Sequence, residues 1–569
     1  MRYIIWTALA MILLPVPALA ASSLVFINGH IYTANSASPW AQAIAISGSR
    51  IQAVGTSKAA RKAAGPRAVI VDLNGRTVIP GIIDGHTHTL YGSLELAGAN
   101  LSTPERSITP DNRSEFVAFL KRYSAEHPKE KVIFGRADFS TTPPGVPSHE
   151  MLDEVATDRP VIVRNTSEHA VWLNATAIRL AGLTDYPLED AAEEKGVLRD
   201  ASGHPSGVLL EAATRLVDRA TDTMLTQEEK LARLRFGISY LNSFGITSIV
   251  NATGSLAEIR LYAALRDRGE LTVRTRTAFG DVGAHHKLTP EFLSQLSEAR
   301  RQYDDEWVSA NLVKLFADGG TGLIPPIIYE PHEYLRLVME LDKQGFQIMT
   351  HAIRDDTVHM VLDAYQALES ANGPRDRRLR LEHLDLLRPE DAPRFAQLEV
   401  VPSMQASFCC SSEAEKVDKV NGWAIDRWKS VLDAGGRLAF SSDWPCMWVP
   451  NPFVAMAEAV RRDTWRSQDT ESIAGSELGG QAQGGARKTG GRYTPQEGIS
   501  VQQVVDAYTR DGAYAEFADS RVGTLEPGKF ADFVVLSQDI FSVPSETLAD
   551  TEVLETWVSG KKVYNHRAD

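Results

Sequence analysis

The chain has 569 residues, more than one ordinary core needs and enough for a large barrel with accessory parts. Hydrophobic residues make up 43% and charged residues 23%, as is typical of a soluble globular enzyme. A net charge of −14, with lysine and arginine scattered rather than clustered, argues against a nucleic acid or an anionic membrane as partner.

Residues 1–20 have the pattern of an export signal. Arg2 supplies a positive start, Ile4 to Leu14 a short apolar core, and Ala18-Leu19-Ala20 a small-residue cleavage pattern. The apolar run is too short to span a bilayer comfortably, and an uncleaved anchor is the alternative. We therefore expect an exported protein, periplasmic or secreted, with no stable membrane span once the signal is removed.

The two ends of the remaining chain are rich in β-strand patterns. Leu24 to Tyr32 predicts a hairpin with a turn at Asn28-Gly29, and further strands are predicted after it, up to Gly55. The C-terminal end repeats the pattern from Ala531 to Leu536 and from Val553 to Val563. These ends predict one small β-sandwich formed by residues 22–75 and 520–569. Two unrelated terminal ribbons are the alternative.

Strand and helix patterns alternate through residues 76–519, which is typical of a parallel sheet or barrel. The predicted helices include Pro331 to Lys343 and Asp355 to Ser370. Eight strand–helix units predict an α/β fold with a (β/α)8 TIM-like barrel, whose chemistry lies at the carboxyl ends of the strands. The predicted strands are Ile82 to His88, Gly245 to Asn251, Thr272 to Phe279, Asn311 to Asp318, Phe346 to His351, Leu379 to His383, Val400 to Gln405 and Arg437 to Asp443.

Residues 100–235 are too long for one barrel unit and contain strand patterns of their own. Val132 to Gly135 and Val161 to Arg164 are two of them. We expect an insertion subdomain after strand 1 that covers the barrel mouth. Residues 467–495, rich in Gly, Ser and Gln, indicate a flexible surface loop or lid.

Polar side chains interrupt or end several of the predicted strands. His86 and His88 are spaced i, i+2, so both imidazoles leave a strand on the same face. Each further group has an ordinary explanation when taken alone: a paired lysine, a structural histidine or a helix cap. Together they occur in an order that can converge on one barrel mouth, and nitrogen and oxygen ligands without thiolate suit zinc, with manganese, iron, nickel or cobalt as alternatives. The set is His86, His88, Lys314, His351, His383 and Asp443.

Lys314 lies in the apolar segment Val313 to Ala317. Burial disfavours the charged form of an amine, and a neutral amine can take up carbon dioxide to become an anionic carbamate. From this segment alone, a lysine paired with a carboxylate is the favoured explanation.

The ordered set of motifs resembles the amidohydrolase superfamily, and within it the YtcJ-like amidohydrolase family 3 group, which includes N-substituted formamide deformylases. The matching segments span nearly the whole chain after residue 20. They are Ile79 to His88, His169 to Asn174, Gly245 to Ser248, Val313 to Gly319, His351 to Ile353, Arg380 to His383, Ser442-Asp443 and Gly523 to Leu536.

The resemblance implies two divalent metal ions, with zinc favoured, and a carboxylated Lys314 that bridges them. His86 and His88 would hold one metal, and His351 and His383 the other. Asp443 would bind metal and act as the catalytic base that takes a proton from a metal-bridging water, which then attacks as hydroxide. The implied substrate-binding residues are His169, Trp172, Arg354 and Gln405, with packing inside the insertion as the alternative for His169 and Trp172.

Two departures from the family pattern fall near the expected substrate pocket. Arg354 stands where relatives often carry glycine, and Gln405 to Cys410 lacks the histidine that many carry after strand 7. We therefore expect a hydrolase of a carbon–nitrogen bond in a small amide, formamide or cyclic amide, and leave the substrate itself open. The alternatives are a heterocycle deaminase, a lactone or ester hydrolase, and a non-catalytic binding or regulatory protein on the same fold. A homo-oligomer also stays open.

Overall fold

The computed structural model describes residues 23–566 except for 100–106, 109–112, 142–144, 166–168, 185–187, 189–190, 281, 283–287, 320–325, 409–424, 448 and 464–493. The predicted export signal at residues 1–20 and nearly all of the predicted loop at 467–495 lie outside the described residues. So does the end of the segment from Gln405 to Cys410.

The strands of the described residues are numbered β1 to β25 in chain order. They are Ser23–Ile27, His30–Tyr32, Trp40–Ala41, Ala43–Ser47, Arg50–Gly55, Val69–Asp72, Thr77–Pro80, Ile82–Thr87, Ser107–Ile108, Ile133–Arg136, Asp138–Phe139, Val161–Arg164, Ala170–Leu173, Val197–Arg199, Pro205–Leu210, Ile246–Gly254, Arg274–Phe279, Val308–Phe316, Gln347–Ala352, Arg380–His383, Val401–Met404, Ala439–Phe440, Phe533–Leu536, Val553–Val558 and Lys561–Asn565.

The helices, α1 to α17, lie between and around these strands. They are Ser57–Ala64, Thr89–Leu96, Arg113–Glu126, His149–Asp153, Ala175–Leu180, Ala191–Gly196, Val217–Met224, Gln227–Ser243, Leu256–Asp267, Pro290–Gln302, Pro331–Lys343, Asp355–Asn372, Ala392–Gln397, Trp428–Asp433, Pro452–Arg461, Val501–Tyr508 and Arg510–Ala515. Short 3-10 helices occupy Glu211–Leu216, Ala406–Phe408, Pro495–Glu497 and Ser545–Asp550.

The predicted barrel is confirmed. Strands β8, β16, β17, β18, β19, β20, β21 and β22 form one sheet in that order, and every neighbouring pair is parallel. These are the eight strands expected from the sequence. The sheet closes between β22 and β8, where the Asp443 N–H donates to the His86 carbonyl at 2.9 Å and the His88 N–H donates to the Trp444 carbonyl at 2.6 Å. The barrel seam therefore runs through the segments that carry three of the predicted ligands.

Both termini build the predicted β-sandwich. One sheet has the order β5-β4-β1-β6 and the other β25-β24-β23-β7-β2-β3. Phe26, Ile44, Phe533 and Trp557 belong to the apolar cluster between them. Strand β23 pairs with β7, which leads directly into β8, so the C-terminal strands are anchored at the start of the barrel.

The hairpin predicted for Leu24 to Tyr32 is wrong. β1 pairs with β4 and β6, whereas β2 pairs with β3 and β7, so the chain crosses from one sheet to the other at Asn28-Gly29. A two-residue hairpin turn of this kind needs positive φ at both positions, and only Asn28, with φ of 53°, has it. Gly29 meets a steric need instead, because a Cβ there would lie 2.4 Å from Leu73 Cδ1.

The insertion after strand 1 has its own sheet, in the order β10-β12-β13-β15-β14. Two separate apolar clusters cover its faces. The predicted limit at residue 235 falls inside α8, which runs without a break from Gln227 to Ser243 and packs on α2. Within the described residues, none of the helices combines the length and the apolar character needed to span a membrane.

Candidate metal centre

The six predicted ligands lie together at the carboxyl end of the barrel. His86 is in β8, Lys314 in β18 and His351 in β19, and His383 is the last residue of β20. Five of the six side chains are buried, and the His88 side chain is 15% exposed. The family order of strands thus places residues far apart in sequence at one end of the barrel axis.

The distances define a compact cluster of nitrogen and oxygen atoms. Asp443 Oδ1 lies 3.3 Å from His88 Nε2 and 3.5 Å from His86 Nε2. His86, His383 and Asp443 each offer a ligand atom, and these three atoms lie within 4.8 Å of one another. The rings of His351 and His383 are 4.4 Å apart. This spacing suits divalent metals bound by imidazole and carboxylate.

Hydrogen bonds at Nδ1 fix three of the imidazoles. His86 Nδ1 lies 2.7 Å from Glu382 Oε2, and His88 Nδ1 lies 2.7 Å from Thr253 Oγ1. His383 Nδ1 lies 2.8 Å from Gln405 Oε1. When Nδ1–H donates in this way, Nε2 keeps its lone pair for a metal. The three rings are therefore held in the tautomer and orientation that metal binding requires.

Two buried ligand atoms make no hydrogen bond to any described residue. They are His351 Nε2 and Asp443 Oδ1. A buried polar atom without a partner costs free energy, and bound metal ions would satisfy these two atoms. The residues present therefore fit the metals that the resemblance implies.

The electrostatics favour the metal-binding forms of these side chains. Burial lowers the pKa of His86 and His351 well below the ordinary value, and it lowers the pKa of His383 to about 4. Burial also opposes ionisation of Asp443, but the adjacent His88 outweighs it and holds the Asp443 pKa below its usual value. At neutral pH, His86, His351 and His383 are neutral and Asp443 is an anion.

Lys314 points into the same cluster. Its Nζ lies 3.2 Å from His86 Nε2 and 4.9 Å from the centre of the Phe316 ring. The side chain is 1% exposed. A bridging carbamate on this lysine stays a prediction, and the position of Nζ beside His86 is compatible with it.

The predicted substrate-binding residues have different surroundings. His169, in the insertion, lies with its ring 6.4 Å from that of His351, which brings the insertion to the barrel mouth. The Arg354 guanidinium donates to Asp356 at 2.8 and 2.6 Å. Both remain candidates for substrate contact.

The other two residues are buried, and both already make hydrogen bonds within the protein. Trp172 is 0% exposed, lies in an apolar cluster of the insertion, and donates from Nε1 to the Ser148 carbonyl. These contacts favour the packing role within the insertion that was the alternative for Trp172. Gln405 is 2% exposed and uses its amide on His383 and Ser441, so it contacts a predicted metal ligand.

Several residues that support the predicted ligands were not identified from the sequence. Arg380 donates to Glu382 Oε1 at 2.9 Å and is also paired with Glu516, which follows α17 at the other end of the barrel. A chain of buried charges thus runs from Glu516 through Arg380 and Glu382 to His86. The signal was present in Arg380-Leu381-Glu382-His383, where two charges share one face of an otherwise buried strand. Asp318, 3.4 Å from His351 Nε2, was missed as well.

Comparisons with known proteins agree with this architecture. A family model described as the amidohydrolase family matches residues 69–564. Protein LONG AFTER FAR-RED 3 of Arabidopsis thaliana is 29% identical over 585 residues, which cover 96% of this chain and 92% of that protein. N-substituted formamide deformylase of Arthrobacter pascens is 26% identical over 562 residues, which cover 94% of this chain and 97% of that protein.

Among solved structures, a metal-dependent hydrolase from Pyrococcus horikoshii OT3 has the same fold. The TM-score is 0.69 at 22% identity, with 92% of this chain and 99% of the other covered. The resemblance inferred from the sequence is confirmed. Because the family model spans most of the chain, this protein is a hydrolase that belongs to the amidohydrolase family.

Proposed function

We propose that this protein cleaves a carbon–nitrogen bond in a small amide, formamide or cyclic amide. The observation that carries the proposal is the buried cluster of neutral histidines around an ionised Asp443 at the carboxyl end of the barrel. The choice of bond is supported by the family and by the relative named N-substituted formamide deformylase.

In this proposal His86 and His88 would hold one divalent metal, and His351 and His383 would hold a second, with zinc favoured. Lys314 would contribute a carbamate oxygen to the metals after its neutral amine attacks carbon dioxide and releases one proton to solvent. When bound, the metals polarise a carbonyl group and lower the pKa of water. The Nδ1 contacts of His86, His88 and His383 keep each Nε2 directed at this space.

Asp443 is the proton carrier in this proposal. It accepts a proton from the attacking water and returns it to the leaving nitrogen. The lowered pKa of Asp443 keeps the carboxylate in the form that accepts a proton. Its main chain is fixed by the bond from its N–H to the His86 carbonyl at 2.9 Å. The side chain therefore stays beside His86 and His88 through the reaction.

The insertion supplies one side of the substrate site. His169 is directed toward His351 and is held by Glu211 Oε2, 2.9 Å from its Nδ1. His169 would contact the part of the substrate that projects from the barrel. Arg354, at the start of α12, would limit which acids or amides enter from that side.

The test is a substrate screen on the zinc-loaded protein. N-formyl amines, N-acyl amines and cyclic amides are compared with amino-substituted heterocycles, which would release ammonia, and with lactones. We expect turnover in the amide group, at least about 100-fold slower after Asp443→Asn. Turnover confined to heterocycles or to lactones would overturn the proposed amide specificity in favour of a deaminase or a lactone hydrolase. No turnover on any class, with metals bound, would favour the non-catalytic alternative.

We also propose that residues 1–20 direct export and are removed. The supporting observation is the order of Arg2, a short apolar core and Ala18-Leu19-Ala20. Mass spectrometry of the protein from the native cell envelope should give a chain that begins at Ala21. A chain in the cytoplasm that retains residues 1–20 would contradict export.

A further inference from the structure

A cavity of about 480 Å³ lies at the end of the barrel opposite the metal cluster. Its walls come from the amino-terminal parts of the barrel strands and from residues 516–522 after α17. Along β18, the cavity-lining Asn311 is three residues before Lys314, which places this wall of the cavity about 10 Å along the strand from that predicted ligand. A cavity of this size can accept a small molecule.

Arg276 in β17 is the central polar group of this cavity. Its side chain is 6% exposed, and its Nη1 donates to the Glu516 carbonyl. Its Nε and Nη2 make no hydrogen bond to any described residue, and Glu516 Oε2 lies 3.6 Å from Nε. A buried guanidinium with two unused donors costs free energy unless an acceptor enters the cavity.

Further polar groups face the same space. Ser248 Oγ is a buried hydroxyl without a partner among the described residues. Arg521 lines the cavity, its charge acts on Arg276, and its guanidinium has no ion-paired partner in the described part of the chain. Gln347 Oε1 is a buried acceptor that lacks a donor, whereas Glu516 Oε2 faces Arg276 Nε in an ion pair at 3.6 Å. The cavity thus offers unused donors from two arginines and one hydroxyl, and one unused acceptor.

The other charges at the cavity are already paired or lie at its rim. Arg274 pairs with Asp532, and Arg375 and Arg377 pair with Asp342. Asp305 pairs with Arg266, and Asp376 with Arg378. Asp304 and Glu306 are exposed at the rim. This leaves Arg276 and Arg521 as the cations available to a ligand, with Glu516 shared between Arg276 and Arg380.

We propose that this cavity binds a small oxyanion that carries a hydroxyl group, through the guanidinium groups of Arg276 and Arg521 and the hydroxyl of Ser248. The fork of a guanidinium matches the oxygens of a phosphate or carboxylate. The ligand hydroxyl would donate to Gln347 Oε1. A carboxylate without a hydroxyl has no donor for this atom and would leave it without a hydrogen bond. Hydrogen phosphate and small hydroxy acids share this chemistry.

The test is calorimetric titration of the full-length, metal-loaded protein at constant ionic strength. Inorganic phosphate and glycolate are the two probes, and acetate, which lacks the hydroxyl, is the comparison. The variants are Arg276→Gln and Arg521→Gln, with Arg301→Gln as the matched control because Arg301 is an exposed surface residue paired with Glu298. We expect one probe to bind more tightly than acetate. Its binding should be at least about tenfold weaker in both cavity variants and unchanged in the Arg301→Gln control.

Each other result counts against the proposal. Binding that is equal in the wild type and in Arg521→Gln would place the anion elsewhere, including the metals. No heat of binding up to about 10 mM of either probe would mean that the cavity holds water only. If Arg276→Gln does not fold, the binding measured for Arg521→Gln decides the outcome, because Arg521 is only half-buried. The tighter of phosphate and glycolate identifies the class of ligand.

Discussion

The contact between Glu382 and His86 allows a direct test of how the barrel interior supports metal binding. His86 Nδ1 lies 2.7 Å from Glu382 Oε2, and the two side chains are 1% and 0% exposed. Glu382→Gln keeps the shape and removes the charge that orients the imidazole. Loss of such an outer partner typically weakens metal binding 10–100-fold, so we expect the dissociation constant to rise by that factor, about 1.4–2.7 kcal/mol.

The assay measures zinc per chain after equilibration over a series of buffered free zinc concentrations. We expect about two zinc ions in the wild type and a selective weakening of one of them in Glu382→Gln. Glu298→Gln is the matched control, since Glu298 is an exposed glutamate on α10. Glu382→Asp keeps the charge but shortens the side chain, and we expect its zinc affinity to lie between those of the wild type and Glu382→Gln.

Superimposable zinc-binding curves for the wild type and Glu382→Gln would refute this reasoning. Glu382 also accepts from Arg380 at 2.9 Å, so the free energy of unfolding in urea must be measured on metal-free protein. A lower free energy of unfolding with unchanged zinc affinity would assign Glu382 to the stability of the barrel alone.

Three further outcomes are expected. Lys314→Ala should remove one or both metals and the activity, and full metal content in that variant would exclude the bridging role. Trp172→Ala should lower the free energy of unfolding by about 3–5 kcal/mol because the indole fills the insertion core. A Trp172→Phe variant that folds should keep the KM of the wild type. A large rise in KM for Trp172→Phe would show that Trp172 contacts the substrate. Burial raises the pKa of Glu258 to about 8, so the folded state binds the carboxyl proton more tightly than the unfolded state does. The stabilisation that this proton gives is complete below about pH 4.5. It is lost as the pH rises toward 8, by up to about 1.4 kcal/mol per pH unit. Glu258→Gln should flatten that slope in urea unfolding at pH 5 to 8, and an unchanged slope would show that other groups set it.

The barrel and the ligand order could be predicted from the sequence because both depend on local patterns that repeat. Each barrel strand is a short apolar run, and predicted ligands such as His351 and His383 stand at strand ends, where a parallel barrel brings side chains together. The family resemblance then fixed the order of the set.

The rest depended on contacts between distant segments. The Asn28-Gly29 pair has the composition of a hairpin turn, yet the packing of Leu73 against Gly29 sets its role. Trp172 lies in a family motif, but its burial follows from the insertion sheet, which the sequence does not display. Glu382 acts on His86, 296 residues earlier in the chain, so no local pattern connects them.

Pairing of β23 with β7 also bears on when the protein can acquire its metals. The last predicted ligand is Asp443, but Phe533–Leu536 must pair beside Thr77–Pro80 to complete the sheet that leads into the strand of His86. Glu516 must likewise reach Arg380 from the far end of the barrel. Such distant contacts form slowly and only after nearly the whole chain has left the ribosome. We therefore expect metal loading to be a post-synthetic step, and a chain truncated before residue 530 to contain every predicted ligand and still bind zinc poorly.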